Sequence, residues 1–215
     1  MRIWKFLLIF LLFISSSFGI STDEILQKTK VAYNNINTFY SILEVYNRDA
    51  NSEENITYEF FFQKPNTIRL NIVDGKDKGT VLIYKEGKVR LKRGGVLSFI
   101  PISLNPDDPL ILSLRKGRVD ELSIAYVLEQ LFKNKPLLVK EANINGYNCF
   151  VIEINTSRDR LYTYTMQRVY IDKDNFIPIQ LEQYENYQDT KILVHKRTYK
   201  NYQINPNFDS QIFNI

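Results

Sequence analysis

Tyr58-Glu-Phe-Phe-Phe-Gln-Lys-Pro-Asn-Thr-Ile-Arg-Leu-Asn-Ile72 spells two strands joined by a turn. Side chains of an extended chain alternate between faces, so Tyr58, Phe60 and Phe62 share one side, as do Ile68, Leu70 and Ile72 in the next run. Arg69 and Asn71 look the other way. A sheet built from such runs is dry on one face and wet on the other, an asymmetry that antiparallel pairing tolerates.

The same grammar extends along the chain. Runs rich in β-branched and aromatic residues fall at about 39–47, 55–63, 67–73, 80–85 and 88–93, then at about 137–142, 147–155, 161–172, 177–185 and 190–203. Phe150, Ile152 and Ile154 alternate with Glu153 in one of them. Asp74-Gly75, Glu86-Gly87, Asn145-Gly146 and Asp172-Lys-Asp-Asn175 supply the turns. Strands this closely spaced leave no room for helical crossovers, so the sheet is expected to be antiparallel. About ten strands with a single dry face must curl or be covered.

Two helical stretches supply a covering. Ser21 reads as an N-cap with Glu24 three residues on, and Ile25, Leu26, Thr29, Ala32, Tyr33 and Ile36 recur on one face. A second amphipathic helix is expected near 120–133, with Ile124, Ala125, Leu128, Leu131 and Phe132 in register. Before it, Val96 to Leu114 is apolar and broken by Pro101, Pro106 and Pro109. Residues 94–134 read either as a lid hinged at Gly94-Gly95 or as a fixed connection over the core.

Residues 1–19 have the three zones of a secretory signal: Arg2 and Lys5, an apolar stretch from Phe6 to Ile14, and the small residues Ser17 and Gly19. Cleavage is expected near Gly19, the apolar stretch being shorter than the ~20 residues that cross a bilayer. The expected location is the periplasm, with residues 20–215 as a single domain. Cys149 is the one cysteine, which excludes an internal disulfide. A mature chain of about 196 residues can hold by packing alone, burying roughly 70% of its unfolded surface.

Chemistry is sparse. The net charge of +4 drops to +2 without Arg2 and Lys5, and the lysines are scattered, so no nucleic-acid partner is expected. One histidine, His195, and one cysteine are too few for a zinc site, and no metal or cofactor is expected. A Cys149–His195 pair would be the conventional nucleophile dyad. His195 reads instead as a structural residue of a strand and Cys149 as a small buried hydrophobe, so no enzyme is expected.

Phe62-Gln-Lys-Pro-Asn-Thr-Ile-Arg69, Val81-Leu-Ile-Tyr84 with Gly87, Asp172-Lys-Asp-Asn-Phe-Ile-Pro178 with Glu182, and Tyr202-Gln-Ile-Asn-Pro-Asn-Phe-Asp209 with Phe213 occur in an order that resembles the LolA/LolB-like superfamily of periplasmic lipoprotein carriers and related envelope proteins. The resemblance implies an α+β, mainly β fold: a strongly curved, antiparallel, incomplete β-barrel with helices over its concave face. It also implies that this face takes up acyl chains. The chain departs from the carriers in having no tryptophan after Trp4 and Met166 as its one methionine after Met1.

The reading that joins these observations is a monomeric periplasmic binding protein sheltering an acyl chain of a lipid or lipoprotein. Tyr58, Phe60, Phe62, Leu70, Ile72, Phe150, Ile152, Tyr164 and Met166 would line the hollow, with Phe99, Ile100 and Leu128 from the covering segment. The alternative is a sensor or interaction domain whose hollow is filled and whose partners are envelope membrane proteins.

Overall fold

The computed structural model describes residues 20–95, 100–155, 164–187 and 190–215, the side chains of residues 138 and 139 excepted. Its centre is one open, curved antiparallel sheet of eleven strands. Six strands come from the first half: β1 (Thr38–Arg48), β2 (Glu53–Gln63), β3 (Thr67–Asp74), β4 (Val81–Lys85), β5 (Lys88–Lys92) and β6 (Ile102–Leu104). Five come from the second: β7 (Leu137–Ile144), β8 (Tyr147–Asn155), β9 (Met166–Asp172), β10 (Pro178–Tyr187) and β11 (Thr190–Ile204). Their order across the sheet is β6-β5-β4-β3-β2-β1-β11-β10-β9-β8-β7. Each half is a meander, and the first and last strands join at the centre. The sheet is not closed into a barrel, as the sequence implied. β6, inside the proline-broken segment, is the strand that alternation did not reveal, because three residues carry too little pattern.

Turn chemistry sets the register. Glu86 and Asn145 both adopt positive φ, at 51° and 50°, and so do the glycines that follow them, as two-residue hairpin loops require. In β2 and β3 every second residue from Ile56 to Phe62 and from Ile68 to Ile72 is buried.

Helices α1 (Thr22–Asn34) and α2 (Ile124–Lys133) lie against each other and over the concave face. The Ser21 Oγ accepts from the Glu24 amide at 3.1 Å, and the Ser123 Oγ accepts from the Tyr126 amide at 3.2 Å, so each helix begins on a serine cap. Lys64, in the turn between β2 and β3, donates to the Tyr33 and Asn34 carbonyls at 2.7 and 2.8 Å and closes the C-terminal end of α1. Ile25 and Leu26 of α1 and Ile124, Val127, Leu128 and Leu131 of α2 are buried. Under the helices Phe39, Phe60 and Tyr199 meet edge to face with ring centres 5.6–6.2 Å apart.

The convex face is less wet than alternation suggests. Arg69 does point outward, but it donates to the Ile212 carbonyl at 2.5 Å, and Phe208 packs on Phe61 at 5.5 Å, so residues 205–215 lie across this face. Further along, Tyr170 and Tyr184 both donate to one oxygen of Glu182, at 2.8 and 2.6 Å, and Gln180 donates to the other. These side chains are polar yet mostly buried. Among the described residues no helix is long and apolar enough to cross a membrane; the signal read in residues 1–19 lies outside the described residues.

Candidate functional site

At the end of the hollow away from Phe62, the sheet and the covering segment do not meet fully, leaving a cavity of about 220 Å³. Its floor is sheet: Ile56 and Tyr58 of β2, Leu70 and Ile72 of β3, Leu82 of β4 and Leu91 of β5. Its roof is the strap Pro109–Ser113, with Gly117 to Val119 and Leu122. One wall is polar, made of Asn47, Gln183, His195, Arg197 and Arg115.

Hydrogen bonds tie the strap to the sheet at named points. The Leu114 amide donates to Glu54 at 3.2 Å, and Arg115 reaches both the Arg48 carbonyl at 2.8 Å and the Glu185 carboxylate at 2.5 Å. Tyr199 donates to the Leu122 carbonyl at 2.5 Å, and Arg197 donates to the Glu121 carbonyl. Gly94, read as half of a hinge, instead provides close approach: a Cβ there would come within 2.9 Å of the Lys78 carbonyl oxygen.

Of the residues expected to line the hollow, the structure brings Tyr58, Leu70, Ile72 and Tyr164 to the cavity. Phe60 and Phe62 lie in the packed part of the same hollow, fully enclosed. Phe150 is buried beside Phe176 with ring centres 6.1 Å apart, and Ile152 is buried on the same strand, both away from the cavity. Met166 accepts a hydrogen bond from Lys191 at 3.0 Å, and Leu128 packs inside α2's buried face. Ile100 is exposed, and Phe99 lies outside the described residues.

Sequence reasoning missed the polar wall. His195, Arg197 and Tyr199 lie opposite Asn47, Val45 and Leu43 in the β1–β11 register, so they share the concave face. The signal was the two-residue period in β11, obscured because Val194 and Thr198 on the other face are buried too. His195 Nδ1 lies 2.8 Å from the Asn47 side-chain oxygen, and the Asn47 amide donates to Glu54 at 3.1 Å. Burial, helped by the positive charges of Arg197 and Arg115, holds the His195 pKa down at about 3. The imidazole is therefore neutral at ordinary pH.

Cys149 and His195 do not form a dyad. They stand on β8 and β11, three strand spacings apart in the sheet, or about 14 Å by the ordinary interstrand distance. Burial first, then the charge of Asp172, pushes the Cys149 thiol up to about 11, and its sulfur faces the Tyr147 carbonyl at 3.5 Å. Among the described residues no cluster of His, Cys, Asp and Glu could hold a metal ion.

The open antiparallel sheet with two helices and a strap on its hollow side is the architecture that the resemblance implied. The chain belongs to the family described as protein of unknown function (DUF1571), whose profile matches residues 55–215. No curated protein matches the sequence. Among solved structures it is similar to the Mycobacterium tuberculosis lipoprotein LppX, at 10% identity and a TM-score of 0.53, covering 88% of this chain and 100% of that one. MucB is similar at 14% identity and a TM-score of 0.53, covering 90% of this chain, which spans 62% of the MucB chain. A LolA superfamily protein from Nitrosomonas europaea aligns at 15% identity and a TM-score of 0.43, over 92% of this chain and 99% of that one. At these identities the likeness to LppX and MucB establishes the fold alone.

Proposed function

We propose that this is an exported envelope protein, monomeric in the periplasm, that shelters an acyl chain of a lipid or lipoprotein in the cavity under the strap. The observation that carries the reading is a hollow with apolar sheet on one side and an apolar strap on the other, open at one end and packed around Phe60 and Phe62 at the other. Transfer of a chain from water into such a site gains about 0.8 kcal/mol per CH₂ buried. Ile56, Tyr58, Leu70, Ile72 and Leu110 would touch the chain, with Tyr164 at the polar side. The binding residues are thereby shifted from Phe60, Phe62, Phe150, Ile152, Met166 and Leu128 toward the far end of β2 and β3. Nothing in the reading needs catalysis or a cofactor. The direct test is displacement of a fluorescent fatty acid from purified, delipidated protein: saturable displacement at one site per chain is expected, and no uptake of the probe would remove the proposal.

A second reading has its own observation. The Phe60–Phe62 half of the hollow is filled by Phe39 and Tyr199, as a sensor or interaction domain would have it, and a similar structure is the complex of Pseudomonas aeruginosa MucA and MucB, at 15% identity, 89% of this chain, 61% of that one and a TM-score of 0.50. An envelope membrane protein would then be the partner, and crosslinking in intact cells would recover it without any bound lipid.

A further inference from the structure

Arg197 is 2% exposed. It donates through Nη1 to the Glu121 carbonyl, while Nε and Nη2 meet no acceptor among the described residues. Those two nitrogens are the side-on edge of the guanidinium, the edge that grips two oxygens of a carboxylate or phosphate at once. Leaving a buried cation's donors unmade is costly, so an enclosed arginine in this condition is either strained or matched to something that enters. Arg115, on the same cavity wall, also keeps a buried Nε without an acceptor.

The wall offers an anion one partner. Of the cations that line the cavity, Arg115 is paired with Glu185 at 2.5 Å and Arg118 with Asp120 at 2.6 Å, while Arg197 has no carboxylate partner among the described residues. Two acids of the lining are engaged by backbone amides, Glu54 by Leu114 at 3.2 Å and Glu121 by Arg118 at 3.3 Å. Burial raises the Glu121 pKa, against the lowering by the Arg118 amide and by the Arg118 and Arg197 charges. Opposite this wall lie Ile56, Leu70, Ile72 and Leu91, which offer no polar side-chain group. A cavity that is cationic at one wall and apolar at the other suits a molecule with both characters. Its 220 Å³ is on the order of the space one alkyl chain needs, against the ~10–15 Å³ of such volume that admits a single water.

We infer that the occupant is a single-chain amphiphile with an oxyanion head, a carboxylate or a phosphate monoester, whose oxygens accept from Nε and Nη2 of Arg197 while the tail lies against Ile56, Leu70 and Ile72. This rests on the proposal that the hollow shelters an acyl chain, and it adds the head group to it.

Isothermal titration calorimetry of the mature protein with decanoate, decyl phosphate and decanol separates the two. At least one of the acids is expected to bind about tenfold or more tighter than the alcohol, the difference a charge-assisted pair makes. Arg197→Met keeps an apolar stem but gives up the tie to the Glu121 carbonyl, so the readout is the ratio of acid to alcohol affinity within the variant, which should fall to about one; a ratio unchanged from the unaltered protein would overturn the head-group inference. Equal affinity for all three on the unaltered protein would overturn the head-group inference and leave the acyl-chain reading standing. Binding of none of them would overturn the acyl-chain reading itself. Inorganic phosphate is a separate arm: competition as strong as that of decyl phosphate would mean a site for the free anion and would overturn the amphiphile.

Discussion

At the scale of single residues the most informative group is His195, which the sequence presents as an isolated imidazole in a strand. Its neutral state in the fold follows from burial and from two arginines nearby. The folded pKa, about 3, lies below the ordinary 6.5, so between those values the unfolded chain binds the proton that the folded chain refuses. Stability contributed by His195 is therefore complete above pH 6.5 and drains as the pH falls toward 3. Since its ring faces the cavity and keeps some accessible surface, the slope should stay below the limiting value of about 1.4 kcal/mol per pH unit. Urea denaturation at pH 7 and pH 4.5 is expected to show a smaller acid loss for His195→Gln than for the unaltered protein. Identical losses would mean that the imidazole is solvated and titrates normally. His195 as a structural strand residue was legible from sequence; its partner Asn47 was not, because they are 148 positions apart and only the meeting of β1 and β11 joins them.

At the scale of elements, what alternation and turn chemistry could express was readable, and what depended on closure was not. The strands before and after the proline-broken segment were placed to within about two residues, because each had a dry face and a turn at its end; the exception is the run read at 161–172, whose strand begins at Met166 and whose first three residues lie outside the described ones. The pairing of β1 with β11 had no local signature, since it is a consequence of the whole sheet bending. Glycine at position 75 shows how tightly the bend is set. Its φ is +98°, and a Cβ there would sit 2.4 Å from the Asn55 carbonyl oxygen. Gly75→Ala should cost about 2 kcal/mol or more through the combined strain and clash, seen as a fall in Tm of about 4 °C or more for a chain of this length. Ser123→Ala removes the cap of α2 instead and is expected to cost about 1 kcal/mol. Because α2 carries part of the roof near Tyr126, the same substitution should also weaken ligand uptake; a cap loss with unchanged uptake would show that the roof is held by the Arg115, Arg197 and Tyr199 contacts alone.

At the scale of the whole molecule the hollow divides into a filled end and an open end, and the two ends make opposite predictions. The expected lining spread along its full length because alternation reports which face a side chain takes, not whether anything else already occupies the space above it. Phe60 is closed in by Phe39 and Tyr199, so Phe60→Ala should behave as a core deletion, losing about 3–5 kcal/mol with little change in ligand affinity at temperatures where the protein remains folded. Ile72 borders the cavity and is buried only to 7% exposure, so Ile72→Trp can extend into open volume instead of into neighbours. That variant should keep or gain stability, since filling a void restores missing contacts, while blocking the space an acyl chain needs. Chemical denaturation read beside fatty-acid displacement separates the cases. If Ile72→Trp folds as well as the unaltered chain and still takes up the probe with the same affinity, the chain is bound elsewhere, and the cavity under the strap is not the site.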